Sequence, residues 1–154
     1  MAKFPTEIER AVEIDVPPTC AYAYLADVVG SSRSIPGLAS CTRVGDDTYR
    51  FVYEERSTGP VSMTVQYTAR YTLNGRDEIG FTGKGAERDN TDVRGALRVE
   101  PSGAGTRVVL RQMLAPDTPV PRLFQGLIRS FVEREAAAAV EQYLANVKRA
   151  LETS

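Results

Sequence analysis

The segment that decides the fold is PVPRLFQGLIRSFVEREAAAAVEQYLANVKRALE, which spans residues 119–152. Apolar side chains recur in it every three or four residues, which is the period of a helix with one buried side. Pro119 and Pro121 suit the first turn of a helix, where a missing N–H costs nothing, and Thr118 can cap that turn. The pattern therefore predicts one C-terminal helix over residues 119–152 that is long enough to cross the whole domain.

The apolar stripe of this helix does not keep one direction. At about 100° per residue, the apolar side chains of the early turns centre on one direction, and those of the later turns centre well over 100° away. The change in direction of the apolar stripe must be accommodated by the path of the helix or by what the helix packs against. We therefore predict either a bend between Phe131 and Ala139 or an exposed apolar patch on the first two turns, formed by Leu123, Phe124 or Leu127.

The bulk composition bounds the class of protein. The chain has 154 residues, of which 42% are hydrophobic and 25% are charged, and this predicts a single domain over residues 1–154 with a proper core. The formal net charge of −1 argues against nucleic acid or an anionic membrane surface as the main partner. No stretch approaches the ~20 apolar residues of a membrane span, and the N-terminus lacks the apolar core of a signal peptide. We therefore expect a cytoplasmic protein with no integral membrane segment.

The sequence contains no histidine, which restricts its chemistry. This removes the usual general base near neutral pH, nucleophile pairs that depend on histidine, and histidine metal sites. Cys20 and Cys41 then suit reduced thiols that serve as buried filler. The glycine-rich segment 80–85 lacks the spacing and the following helix of a phosphate loop. We predict no catalytic set, no metal and no cofactor.

Strand patterns dominate the rest of the chain. Residues 7–16 alternate between two faces, which is typical of a half-buried strand. Two short helical pieces follow, the first over residues 18–28 and the second ending at a turn signal at residues 35–37. Further strands, joined by hairpin-length turns, are predicted at residues 41–44, 48–56, 61–73, 78–83, 91–100 and 106–114. This order predicts an α+β fold in which a curved antiparallel sheet of six or seven strands surrounds the long C-terminal helix.

One helical stripe cannot fill the concave face of such a sheet, so we expect an internal cavity. The four alanines at residues 136–139 let another backbone approach closely, leave room beneath the helix, or are present only as good helix formers. Gln112 is a polar residue in an otherwise apolar row, and a buried amide costs about 1 to 3 kcal/mol unless a partner satisfies it. The expected partner is Tyr53, Tyr67, an ordered water or the polar end of a ligand.

Several segments carry a resemblance to a known group of proteins. They are PPTCAYAYLADV at 17–28, SIPGL at 34–38, VGDDTYRF at 44–51, TGPVSMTVQYTARYT at 58–72, GKG at 83–85, GALRVEP at 95–101 and GTRVVL at 105–110. In this order they resemble the helix-grip fold of the START, Bet v 1 and polyketide cyclase proteins, and more specifically the G-subunit family of carbon monoxide dehydrogenase. The most specific matches are Asp27 with Ile35-Pro36-Gly37, and the motif Gly59-Pro60-Val61-Ser62.

The resemblance implies a cavity that holds an apolar molecule such as a lipid or quinone, and in some members an accessory role beside a molybdenum hydroxylase. It implies no fixed catalytic set. We therefore expect a carrier or sensor of a hydrophobic small molecule, in which Gln112 and a tyrosine hold the polar end of the ligand. The predicted ligand-binding residues are Tyr53, Met63, Tyr67, Phe81, Leu97, Gln112, Phe124, Ile128 and Phe131.

Two further functions remain open at this point. An enzyme of the polyketide cyclase or aromatase type would use the same cavity to fold a reactive chain, with tyrosine, arginine or a carboxylate transferring a proton. An assembly factor would use the outer surface to contact a partner enzyme, and this role is compatible with ligand binding.

Overall fold

The computed structural model describes residues 2–58 and 60–153, in which it contains ten strands and three α-helices. The strands are β1 (Ala2–Lys3), β2 (Thr6–Ile14), β3 (Leu38–Gly45), β4 (Thr48–Tyr53), β5 (Arg56–Thr58), β6 (Val61–Met63), β7 (Gln66–Leu73), β8 (Glu78–Gly83), β9 (Thr91–Ser102) and β10 (Gly105–Thr118). The helices are α1 (Pro18–Ala26), α2 (Val28–Ser31) and α3 (Gln125–Glu152). Two short 3-10 turns lie at Ser32–Ser34 and Arg122–Phe124.

The long strands form one curved antiparallel sheet. Within the described residues its order is β2, β10, β9, β8, β7, β4 and β3, and β1 pairs with the far end of β10 beside β2. Helix α3 packs over the concave face, where its side chains join the main hydrophobic core of the sheet. The short helices α1 and α2 follow β2. The predicted fold class is therefore confirmed, with seven longer strands and the two-residue β1 in the described sheet around the C-terminal helix.

The predicted strand over residues 61–73 is broken in two. β6 pairs with β5 as a separate hairpin, and β7 begins only at Gln66. Asn90 accounts for the break, because its side chain accepts a hydrogen bond from the N–H of Gln66 (2.9 Å) and donates one to the carbonyl of Thr64. These contacts occupy backbone groups that a continuous strand would present to its neighbour. Gly59, from the motif quoted above, lies outside the described residues.

Helix α3 begins later than predicted. Thr118 does not cap it, because β10 extends to this residue and pairs it with Ala2. The chain then makes the second 3-10 turn, in which the N–H of Phe124 donates to the carbonyl of Pro121 (2.9 Å). The helix itself begins at Gln125 and has 28 residues, which at 1.5 Å per residue gives a length of about 42 Å.

The buried side chains of α3 belong to two separate hydrophobic clusters. Near its start, Ile128 and Val132 pack with Phe4 and with the apolar side chains of the β5–β6 hairpin. From Ala136 onward, the buried side chains belong to the main core between helix and sheet. The rotation of the stripe is therefore real, since the two halves of the helix bury against different surfaces.

The first turns of the helical segment expose apolar side chains, as one of the two alternatives predicted. Leu123 is 87% exposed and Leu127 is 48% exposed, while Phe124 is half-buried. The predicted apolar patch before and within the first turns of α3 is therefore confirmed. Across the described chain, none of the helices combines the length and apolar character needed to cross a membrane.

Polar contacts hold the C-terminal half of α3. The Asn146 amide donates to the carbonyl of Ser34 (3.0 Å), and the Lys148 ammonium donates to the carbonyl of Glu13 (2.7 Å). The Glu152 carboxylate accepts from Lys148 (2.8 Å) and from the backbone N–H one residue past β2 (2.8 Å). The end of the helix is thus tied to the end of β2 and to the first 3-10 turn.

Candidate ligand cavity

A cavity of about 200 Å³ lies between α3 and the concave face of the sheet. Helix α3 contributes Phe131, Val132, Glu135, Ala136, Ala139, Val140 and Tyr143. The sheet, the hairpin and the loops contribute Ile35, Pro36, Gly37, Tyr53, Glu54, Arg56, Met63, Val65, Tyr67, Tyr71, Phe81, Leu97, Leu110, Gln112, Leu114 and Pro116. Most of these side chains are apolar or aromatic, which is the usual lining of a small-molecule site.

Most residues predicted to bind a ligand lie in the cavity wall, and two do not. Ile128 is completely buried in the smaller cluster with Phe4, because the β5–β6 hairpin covers that turn of the helix. Phe124 is half-buried in the 3-10 turn before α3. The prediction that these two face the cavity is wrong, and ligand binding by the others remains a prediction. Those in the wall are Tyr53, Met63, Tyr67, Phe81, Leu97, Gln112 and Phe131.

The alanines of α3 leave room beneath the helix. Ala136 and Ala139 both line the cavity, whereas Ala138 is exposed to solvent. A larger side chain in place of Ala136 or Ala139 would enter the cavity. Of the three interpretations of residues 136–139, the structure therefore supports the one in which small side chains leave room beneath the helix.

Two tyrosine hydroxyls meet in the cavity wall. The Oη atoms of Tyr53 and Tyr67 lie 3.1 Å apart, and the ring of Tyr67 stacks on Phe51 with 5.1 Å between ring centroids. Burial raises the pKa of both hydroxyls, so both are neutral at physiological pH. When one hydroxyl donates to the other, the acceptor keeps its own proton for a further hydrogen bond. The pair can therefore serve both as a donor and as an acceptor toward a guest.

Three further neutral polar groups of the wall have no hydrogen-bond partner within residues 2–58 and 60–153. They are the Gln112 amide and the hydroxyls of Tyr71 and Tyr143. The two tyrosines predicted as partners of Gln112, Tyr53 and Tyr67, bond to each other instead. Burial also raises the pKa of Tyr71 and Tyr143, so these hydroxyls are neutral donors as well. The amide and hydroxyls are therefore available to a molecule in the cavity.

Gly95 shapes the wall between Phe81 and Gln112. It pairs with Phe81 on β8 and with Gln112 on β10, so the three residues form one row across the sheet. A Cβ atom at Gly95 would lie 2.9 Å from the Phe81 ring, 3.0 Å from the Cα of Gln112 and 2.2 Å from the carbonyl oxygen of Arg111. Glycine is required here because no side chain fits so close to the next strand. The sequence pattern contained no sign of this role.

The opening of the cavity is marked by the exposed residues of its wall, Gly37, Glu54 and Arg56. The Arg56 guanidinium donates to the Glu135 carboxylate (2.8 Å), which joins the β5–β6 hairpin to α3 across the opening. Gly37 turns the facing loop with a φ of +73°, and its carbonyl accepts the N–H of Glu54 (2.9 Å). The Ile35-Pro36-Gly37 motif thus forms one side of the opening.

Asp27, the other part of that motif, has a structural role. Its carboxylate accepts the N–H of Gly30 (3.1 Å) and so caps the first turn of α2. The described residues contain no group of three His, Cys, Asp or Glu side chains that could hold a metal ion.

The fold and the cavity together define a helix-grip protein with an internal site between sheet and helix. A family profile described as polyketide cyclase / dehydrase and lipid transport matches residues 5–152. The chain belongs to this family. Among curated proteins, none matches the sequence.

Several solved structures share the fold. A protein from Thermus thermophilus is 21% identical, with a TM-score of 0.71 over 96% of this chain and 97% of that chain. A START superfamily protein from Mycobacterium smegmatis is 12% identical, with a TM-score of 0.68 over 96% and 97% of the two chains. The Zhui aromatase/cyclase from Streptomyces sp. R1128 is 18% identical, with a TM-score of 0.62 over 96% and 94%. At these identities the likeness shows a common fold.

Proposed function

We propose that the protein carries or senses a hydrophobic small molecule, which it holds in the cavity between α3 and the sheet. The observation that supports this most directly is the combination of an apolar wall with polar groups that have no partner in the described protein. Gln112 is the strongest case, because a half-buried amide in an apolar row lowers the stability of the fold unless a hydrogen-bond partner satisfies it. A guest that offers an oxygen to this amide would satisfy it.

The size of the cavity limits the guest. A dry cavity of about 150 Å³ in another protein accommodates benzene, so about 200 Å³ fits a molecule of one or two rings. A longer ligand would extend through the opening beside Arg56 and Glu135. The family description, which includes lipid transport, agrees with an apolar guest.

An enzyme of the cyclase or aromatase type is the second candidate. The Tyr53–Tyr67 hydroxyl pair favours it, since two neutral hydroxyls can polarise a carbonyl group. Proteins of similar fold include aromatase/cyclases. The raised pKa of both hydroxyls keeps them protonated near neutral pH, so neither supplies a phenolate base and both are weak proton donors, and the carboxylates of the wall, Glu54 and Glu135, lie at the opening. We therefore place binding without turnover first.

The finer resemblance to the G-subunit family of carbon monoxide dehydrogenase remains a prediction. The resemblance implies a lipid or quinone as ligand and an accessory role beside a partner redox enzyme. The cytoplasmic location, inferred from the sequence separately, also remains a prediction. Copurification of such an enzyme with the tagged protein from its own host would support the accessory role, and a preparation free of it would count against that role.

The test of the proposed function is a search for a retained ligand, followed by titration. Native mass spectrometry of the protein from its own host should show an added mass that is lost on denaturation. Isothermal titration with a panel of quinones and fatty acyl compounds should then show saturable binding to the emptied protein. A preparation without added mass that also binds no member of the panel would contradict the proposal.

A matched pair of variants locates the site. Ala139→Leu places a larger side chain in the cavity, whereas Ala138→Leu places the same side chain on the exposed face of the same helix. We expect the first to weaken binding at least about tenfold and the second to leave it unchanged. Equal affinities in the two variants would show that the ligand binds elsewhere.

A further inference from the structure

The charges of the cavity wall are few, and all lie at its opening. Within the described residues, the acidic and basic side chains of the wall are Glu54, Arg56 and Glu135. Deeper in the cavity the polar groups are the Gln112 amide and four tyrosine hydroxyls, none of which carries a charge at physiological pH. A ligand in the cavity therefore meets neutral donors and acceptors.

The single cation of the wall is already paired, as far as the described residues show. The Arg56 guanidinium lies 2.8 Å from the Glu135 carboxylate, and Glu54 adds a second negative charge to the same opening. With one positive and two negative side chains, the formal charge of the wall is −1. An anionic ligand would find no unpaired cation among these wall residues and would be repelled by Glu54.

From this arrangement we infer that the cavity selects uncharged ligands that carry a carbonyl, amide or hydroxyl oxygen, and that it rejects carboxylates of the same shape. The inference rests on the proposed function, and it names the class of ligand. Moving a carboxylate from water into an apolar site without a counter-charge costs far more than moving a neutral amide, which Gln112 and the tyrosines can satisfy. A free fatty acid would therefore be a poor ligand, whereas a neutral aromatic ketone, phenol or amide would be a good one.

The test uses two probes of one size and shape, 2-naphthamide and 2-naphthoate, which differ in charge at neutral pH. Both have two rings, in keeping with the cavity volume. Isothermal titration of the full chain at about pH 7.5 should show at least about tenfold tighter binding of the amide. Equal binding of the two probes, or tighter binding of the carboxylate, would overturn the selectivity.

The same titration separates this inference from the proposed function. Equal binding of both probes that is lost in Ala139→Leu would overturn the selectivity and leave the proposed cavity in place. Absence of binding by both probes would overturn the inferred ligand class, whereas the proposed function is overturned only by the failed ligand search and panel titration described above. Tighter binding of the amide that is unaffected by Ala139→Leu would also overturn the inferred selectivity of the cavity, because the selective site would then lie outside it.

The role of the opening is tested by Glu135→Gln. This change removes the partner charge of Arg56 and leaves a cation at the cavity opening. We expect the ratio of amide to carboxylate affinity to fall severalfold. Glu133→Gln is the control, because Glu133 is exposed on the same helix and lies outside the cavity wall. The same fall in both variants would show that general charge, rather than the Arg56–Glu135 pair, sets the preference, and would overturn this part of the inference.

Discussion

The Tyr53 and Tyr67 hydroxyls, which are 14 residues apart in sequence, lie 3.1 Å apart in the cavity wall. Replacing either by phenylalanine leaves the other hydroxyl without its partner. We expect each single change to lower the free energy of unfolding by about 1 to 2 kcal/mol, and the double change to cost less than the sum. Urea unfolding of the three variants measures this. Tyr49→Phe, whose hydroxyl has no partner in the described residues, is the control, and additive single effects would contradict the pairing.

Gln112 should matter more for binding than for folding. Gln112→Leu removes an amide that has no hydrogen-bond partner in the described protein, so the fold should be unchanged or slightly more stable. Affinity for 2-naphthamide should fall roughly ten- to a hundredfold, which is the scale of one buried hydrogen bond. Isothermal titration gives the affinity and thermal unfolding gives the stability. Gln142→Leu, on the exposed side of α3, is the control, and unchanged affinity in Gln112→Leu would exclude this residue from the site.

Asp89 fastens the loop between β8 and β9 to the outer face of the sheet. Its carboxylate, only 4% exposed, accepts hydrogen bonds from Arg50 (2.8 Å), from the backbone of Thr68 (2.8 Å) and from Ala86 N–H (3.0 Å). Asp89→Ala should lower the free energy of unfolding by about 2 to 4 kcal/mol, because it removes the counter-charge of a partly buried arginine and leaves two N–H groups without their side-chain acceptor.

The control for this change is an ion pair on the surface. Arg43 and Asp46 lie 3.7 Å apart and both are exposed, so Asp46→Ala should change stability by less than about 0.5 kcal/mol. Both variants are compared by urea unfolding. Similar losses in the two would show that the contacts of Asp89 contribute no more than a surface pair.

Gly95 should tolerate no side chain. Gly95→Ala would place a Cβ atom 2.2 Å from the Arg111 carbonyl oxygen, so β9 or β10 would have to shift. We expect a loss of about 1 to 3 kcal/mol in the free energy of unfolding. Gly80→Ala on the neighbouring strand is the control, because the nearest atoms to its Cβ would be 3.9 Å away. A similar small effect at both positions would show that the contact at Gly95 relaxes easily.

The sequence was most informative where a residue's environment follows from local periodicity. Within each strand, apolar residues at every second position predicted the buried face of the sheet correctly. Ile79 and Phe81 share this face on one strand, and Val93 and Leu97 share it on the next. The helical period predicted α3 and its rotating stripe, which led to the exposed Leu123. Each of these inferences needs only the order of residues within one element.

Several of the errors arose from contacts between distant parts of the chain. The break before Gln66 depends on Asn90, and the late start of α3 depends on the pairing of Ala2 with the end of β10. Ile128 lies outside the cavity wall because the β5–β6 hairpin covers it. The Arg56–Glu135 pair joins residues 79 positions apart. No periodicity within one element encodes such pairings.

The division of α3 between two hydrophobic clusters gives the helix two regions of unequal local stability. Its C-terminal half is held by the main core and by the contacts of Asn146, Lys148 and Glu152. Its N-terminal half depends on the small cluster around Ile128 and on one exposed ion pair. Local unfolding occurs most readily in the part of a helix that has fewer buried contacts. We therefore expect the first turns of α3 to fray before the rest of the molecule unfolds, which would widen the opening beside Arg56 and Glu135 for a guest.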